Sequence, residues 1–236
     1  MEVVVGISKI KKYATSESGD TVEVVERPNG GLSIVLADGQ SSGKGAKWIS
    51  TLVVRKVITL LAEGVRDGAA ARAASDSLYT ERGGKVSATL NILSVDNQTR
   101  TLVITRNNPA AVLLARNDTV ISLDEPSIPI GVYRGTRPLI TEIPLEPGIT
   151  TVVYTDGLIH AGSRYGESMD VPTTLQALLD EEDLHPQFIA DSILDHALKL
   201  DRGRPADDIS VVVSRVTSKQ GDDVRRMSVR LPLDFF

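Results

Sequence analysis

The sequence predicts an α+β fold, a four-layer α/β/β/α sandwich of two antiparallel sheets flanked by helical hairpins. Short apolar-rich runs recur along the chain with turn signals between them, roughly ten in all, more than one simple open sheet usually holds. Two separated groups of segments show helical periodicity instead. Each amphipathic helix needs a layer to bury against, so the strands divide into two stacked sheets covered on both outer faces.

The first hairpin joins Val22 to Arg27 with Leu32 to Ala37 through Pro28-Asn29-Gly30-Gly31, where Asn-Gly supplies the positive φ angles of a tight turn. Val86, Ala88, Leu90 and Ile92 alternate with Ser87, Thr89 and Asn91. A turn at Asp96-Asn97 then leads into Thr101 to Thr105, the pattern of a half-buried antiparallel pair. A further turn at Asn117-Asp118 links Ala111 to Leu114 with Val120 to Leu123, and later strands are predicted at Thr136 to Ile143, Thr150 to Tyr154 and Ile209 to Val216. Helices are predicted over Ala46 to Leu61, Ala69 to Leu78, Thr173 to Leu179 and Pro186 to Leu200. No repeat or long linker divides the chain, so residues 1–236 read as one domain with 218–236 as a C-terminal tail or extra strand. That tail carries Arg225-Arg226 and the apolar Leu231, Leu233, Phe235 and Phe236, and packing on its own domain is the expectation.

Composition excludes several function classes. Net charge is −5 and the Lys and Arg residues are scattered along the chain, so neither nucleic acid nor an anionic membrane is an expected partner. Cysteine is absent, which removes disulfides, thiolate zinc sites and a thiol nucleophile, and three His leave little room for imidazole metal chemistry. The N-terminal MEVVVGISKIKK places its apolar stretch before its basic one and does not read as a secretory leader. No apolar run approaches a membrane span, so a cytoplasmic location is expected.

The informative feature is an apolar strand running straight into aspartate. Ser33 to Ala37 ends at Asp38-Gly39, Thr151 to Thr155 ends at Asp156-Gly157, Asp207-Asp208 leads into Ile209 to Val213, and Asp20 opens a strand after Ser18-Gly19. Taken singly, Asp-Gly after a strand is a common turn, and Asp207-Asp208 alone could be a loop or capping pair. Carboxylates at buried strand ends repel one another unless a cation sits between them, and an all-oxygen donor set selects magnesium or manganese. Gly39, without a Cβ, lets its own carbonyl approach an ion.

These motifs resemble the metal-dependent protein phosphatases of the PPM, or type 2C, family, and within it the bacterial SpoIIE and RsbX branch. Ser18-Gly19-Asp20 is similar to the first acidic motif of that family, and Leu36-Ala37-Asp38-Gly39 with Gly43 and Ala46 to the second. Pro129-Ile130-Gly131 resembles the mid-chain Pro-Leu-Gly, Val153 to Leu158 the third acidic motif, and Asp207-Asp208-Ile209-Ser210 the last. The resemblance implies two Mn2+ or Mg2+ ions. Asp38 would bridge them, Gly39 would bind one through its carbonyl, Asp156 and Asp207 would complete the two sites, and Asp20 would hold the second ion directly or through water. Asp208 would support Asp207 or waters, or else be a solvated loop carboxylate.

The reaction so implied is hydrolysis of phosphoserine or phosphothreonine on a protein, by a water bridged between the two cations held by Asp38, Asp156 and Asp207. The substrate class is a phosphorylated protein of the anti-anti-sigma or stressosome kind, and the role is control of a bacterial stress or sigma-factor pathway. Departures are visible. Gln40 stands where animal relatives carry a proton-donating His, Asn107-Asn108 falls where some relatives have an extra metal-binding Asp, and no phosphate-binding Arg precedes Asp20. Lys11 and Lys12 are the nearest cations there and read as surface charges.

Two other readings compete. A non-catalytic binding module could keep the same scaffold, although the full aspartate set argues against loss of ligands. The segment Gly39 to Lys44 resembles a nucleotide-binding loop but has three residues between its glycines instead of four, and Gly45 where a hydroxyl residue is required.

Overall fold

The computed structural model describes residues 1–116, 119–181, 185–218 and 222–232. The described residues form ten strands and four α-helices: β1 (Glu2–Ile10), β2 (Asp20–Glu26), β3 (Leu32–Gly39), α1 (Gly43–Ala62), α2 (Asp67–Arg82), β4 (Ala88–Asp96), β5 (Thr101–Asn107), β6 (Val112–Arg116), β7 (Thr119–Leu123), β8 (Leu139–Pro144), β9 (Thr150–Tyr154), α3 (Val171–Leu179), α4 (Pro186–Leu200) and β10 (Ile209–Thr217). They make two five-stranded sheets, ordered β1-β10-β9-β6-β7 and β2-β3-β4-β5-β8, with every pairing antiparallel.

Strand alternation divides the core into three apolar layers. In β3, Ile34 and Leu36 face the other sheet beside Leu93, Ile104, Val153 and Val212, while Val35 and Ala37 face the helices with Val53, Val57 and Leu78. Both faces are covered, so β3 reads as a continuous apolar run. On the other outer face Leu113, Val152 and Val213 pack with Leu175, Ile189 and Ile193. Helix α1 lies on β2 and β3, and α4 on β1 and β10. The expected four-layer sandwich is the observed architecture.

Two differences, at β1 and β4, have physical causes, and the tail takes one of the two forms left open for it. Strand β1 was not among the sequence expectations, since its apolar-to-basic run was read only for a leader; it pairs along its whole length with β10, Glu2 opposite Thr217 and Ile10 opposite Ile209. Gly6 permits the close seat of α4 on this strand, because a Cβ there would overlap the backbone of Pro186 and Gln187. Strand β4 begins at Ala88, not Val86, where Ala88 and Ile130 exchange backbone hydrogen bonds in an isolated bridge. In the tail, residues 222–232 carry no strand; Arg225 donates to Glu26 and to the Gly30 carbonyl instead. The Asn117-Asp118 turn, and Leu233, Phe235 and Phe236, lie outside the described residues.

Candidate metal centre and catalytic pocket

The acidic motifs meet at one end of the sandwich. Asp38 is the penultimate residue of β3 and Asp20 begins β2, and antiparallel register sets the two directly opposite. Like charges in opposed positions of a sheet are destabilising, so local pairing alone does not account for two aspartates here. Asp156 follows β9 and Asp207 precedes β10, its neighbour in the second sheet. Asp38, Asp156 and Asp207 line the same open cleft of about 690 Å³, with Gly39, Gln40, Asn108, His160 and Lys12.

Two glycines allow this approach. A Cβ at Gly39 would overlap the Ala46 carbonyl oxygen on α1, and one at Gly157 would overlap the Asp208 carbonyl oxygen. The Asp-Gly dipeptides therefore bring the acidic turns against the first turn of α1 and against the start of β10.

Asp20 is fully buried. Its Oδ2 accepts from Thr155 Oγ1 at 3.0 Å and Ser210 Oγ at 2.6 Å, while Oδ1 has no hydrogen-bond partner. Burial raises the Asp20 carboxyl to about 6 against the stabilising hydroxyls of Ser210 and Thr155 and the Lys9 ammonium. Asp38 is pushed further, to about 9, first by burial and then by the charges of Asp20, Asp156 and Asp207. Burial also raises Asp156, with Asp207 adding to it and His160 opposing. A carboxylate set that resists ionisation through burial first and its own proximity second is the electrostatic condition a divalent cation relieves.

Among the described residues, no three acidic or imidazole side chains form a closed coordination group. The fit to a hard cation rests on donor chemistry: four carboxylates from adjacent strand ends, and an orphaned Asp20 oxygen in a buried setting. Such an atom costs about 1–3 kcal/mol when nothing satisfies it.

Asp208 is not a solvated loop carboxylate. It is buried, and its carboxylate accepts from the Lys12 backbone N–H at 2.8 Å and the Gly19 N–H at 2.8 Å, tying the segment before β2 to the start of β10. Its carboxylate thus orients Lys12 and the Asp20 turn, and its backbone N–H donates to Asp207 Oδ1 at 3.0 Å. Asp208→Ala removes two charge-assisted bonds and is expected to destabilise the fold by about 2–4 kcal/mol, read as a lowered denaturation midpoint.

Two pocket residues were missed or misread. Lys12, expected at the surface, places Nζ 3.8 Å from Asp207 Oδ1 inside the cleft. His160, one turn past Asp156, adds an imidazole that no motif announced. Gln40 is committed to structure, its Oε1 accepting from Ser87 N at 2.9 Å. The Asn108 amide is likewise engaged, donating to the Tyr154 carbonyl and accepting from Ala110 N.

The sequence model of the family described as stage II sporulation protein E matches residues 28–217. The chain belongs to the SpoIIE family. It is 20% identical over 211 residues to stage II sporulation protein E of Priestia megaterium, covering 89% of this chain and 36% of that relative. The chain therefore spans little more than a third of that SpoIIE protein's length. Among solved structures, the PP2C phosphatase domain of SpoIIE from Bacillus subtilis, with a fragment of its regulatory domain, aligns at a TM-score of 0.78 and 20% identity, over 92% of this chain and 64% of that one. The catalytic domain of the serine/threonine protein phosphatase PstP in complex with two manganese ions aligns at 0.69 and 16% identity, over 92% and 99%. The shared property at these identities is the PP2C fold. Among the described residues, no helix is long and apolar enough to cross a membrane.

Proposed function

We propose that this chain is a metal-dependent serine/threonine protein phosphatase in which Asp20, Asp38, Asp156 and Asp207, with the Gly39 carbonyl, hold two manganese or magnesium ions. The observation that carries this reading is the convergence of Asp38, Asp156 and Asp207 on one cleft, with Asp20 set against Asp38. When bound, the ions would supply charge against the phosphoryl oxygens and a strong nucleophile near neutral pH.

The chain's own residues do the rest. Thr155 and Ser210 fix Asp20 through their hydroxyls, and Asp208 fixes the Lys12 backbone, so the Asp20 carboxylate and the segment that carries the Lys12 ammonium are held before substrate arrives. The Lys12 ammonium, already at the cleft, attracts a phosphoryl oxygen and orients the ester. Gln40 has no proton to give as an acid, so the departing serine oxygen takes its proton from water. The substrate class supported by the motif resemblance is a phosphorylated anti-anti-sigma or stressosome protein, and the proposed setting is stress or sigma-factor signalling in the cytoplasm.

Hydrolysis of p-nitrophenyl phosphate and of a phosphoserine peptide, dependent on added manganese and abolished by chelation, is the expected result. Turnover unaffected by exhaustive chelation would overturn the mechanism, and absence of turnover with either ion would favour a non-catalytic scaffold. Lys12→Gln is expected to raise KM for the peptide about tenfold with a smaller effect on kcat, since it removes attraction present before the transition state.

A further inference from the structure

A few of the cations that look scattered along the sequence, Lys12, Arg164, Arg202 and Arg204, stand together beside the cleft. The loop that carries Asp207 is braced by the buried Asp201, whose carboxylate accepts from Gly162 N at 2.9 Å and Ala206 N at 2.8 Å. Around it stand Arg164, whose Nη2 donates to the Ala206 carbonyl, and Tyr13, whose N–H donates to the Pro205 carbonyl at 3.0 Å. Arg202 stacks on the Tyr165 ring at 4.1 Å, and Arg204 lies over the Tyr13 ring at 5.3 Å. All three arginines and both tyrosines are exposed. Lys12, next to Tyr13, joins this surface to the cleft.

Among the described residues, none of the three guanidinium groups forms an ion pair. Stacking on tyrosine fixes the plane of a guanidinium while leaving its in-plane N–H groups free, the arrangement suited to bidentate recognition of a carboxylate. Asp201 and Asp208 are buried and turned to backbone N–H groups, which leaves Asp207, facing Lys12, and the exposed Glu167, which follows the same turn, as the acids nearest this surface. On a chain of net charge −5, a rigid positive surface that abuts a phosphate-ester cleft is a local feature with a directed use.

We propose that this arginine–tyrosine surface receives an acidic stretch of the substrate protein next to its phosphorylated residue. The proposal rests on the phosphatase reading and adds a substrate preference to it. An acidic protein segment is favoured over nucleic acid because the surface is small and continuous with the cleft through Lys12, and because the overall charge is negative.

The test compares two phosphoserine peptides, flanked by aspartates or by serines, on the full chain and on Arg202→Gln/Arg204→Gln. The acidic peptide is expected to show a kcat/KM roughly tenfold higher, an advantage that shrinks toward unity in the double variant and as salt rises from about 50 to 300 mM. Equal kcat/KM for the two peptides, or a variant that slows both peptides and p-nitrophenyl phosphate alike, would overturn it. Fluorescence polarisation of the same peptides on chains carrying Asp38→Asn, with and without the arginine changes, reads the surface independently of turnover. If the wild type hydrolyses nothing but the acidic preference in binding persists, the catalytic reading fails and the surface stands. Tighter binding of a short RNA or of anionic vesicles than of the acidic peptide would assign the surface to another partner class and end the proposal.

Discussion

Asp38→Asn is expected to lower phosphatase turnover by about a thousandfold or more while leaving the ion-free protein at least as stable as the wild type. Asp38 lies opposite Asp20 and faces Asp156 and Asp207 across the cleft, so it is a carboxylate on which the charges of all three others act. Removing its charge removes the ligand expected to bridge two ions, and with it the source of nucleophile and charge neutralisation. In the ion-free protein burial first, and then the charges of Asp20, Asp156 and Asp207, hold the Asp38 carboxyl up to about 9, and a neutral amide avoids both costs. Function and ion-free stability should therefore move in opposite directions, a signature that a purely structural aspartate would not give. Parallel assays of turnover and thermal unfolding check it; near-normal turnover by the variant would remove this residue from the mechanism.

Stability of the ion-free chain should fall as pH rises, and manganese should reverse the trend. An acid whose folded-state pKa lies above its unfolded value binds more protons when folded, so unfolding free energy declines between the two values. For Asp20 that window runs from 3.8 to about 6, and for Asp38 from 3.8 to about 9. Both groups contribute between pH 4 and 6, each by at most about 1.4 kcal/mol per pH unit, and Asp38 alone continues above that. Asp156, also raised by burial, acts in the same direction. A cation that displaces these protons binds more tightly as pH rises, and at a hundred times its dissociation constant it adds about 2.7 kcal/mol. Melting curves in chelator and in manganese, each referred to Asp38→Asn to cancel unrelated titrations, should diverge as pH increases. Curves that stay parallel from pH 5 to 9 would contradict a shared ion site.

Legibility of this chain differed by feature. Turn chemistry and periodicity located most elements because their causes are local: Asn29-Gly30 enforces the β2–β3 hairpin, with Gly30 at φ 81° in the observed turn, and Pro186 starts α4 where it was expected. Strand β1 was missed because its apolar residues alternate only weakly and its partner, β10, lies some 200 positions away. Lys12 and His160 were passed over for a related reason. Neither belongs to a recurring strand-to-aspartate pattern: Lys12 reaches the cleft only through the packing of distant segments, while His160 follows one turn past Asp156 with no motif of its own.

The sequence by itself determined which residue types are available for chemistry: aspartates at strand ends, glycines after two of them, no thiol and few imidazoles. It also determined the alternation that separates inward from outward faces, since a strand's period of two is a property of its own backbone. Only the tertiary structure decided that β2, β3, β9 and β10 deliver their acids to one end of the sandwich, that Asp208 holds Lys12 and Gly19, and that Arg164, Arg202, Arg204, Tyr13 and Tyr165 gather beside the opening. Charge repulsion and burial fall off over a few ångströms, so these interactions exist only once residues more than a hundred positions apart are packed side by side.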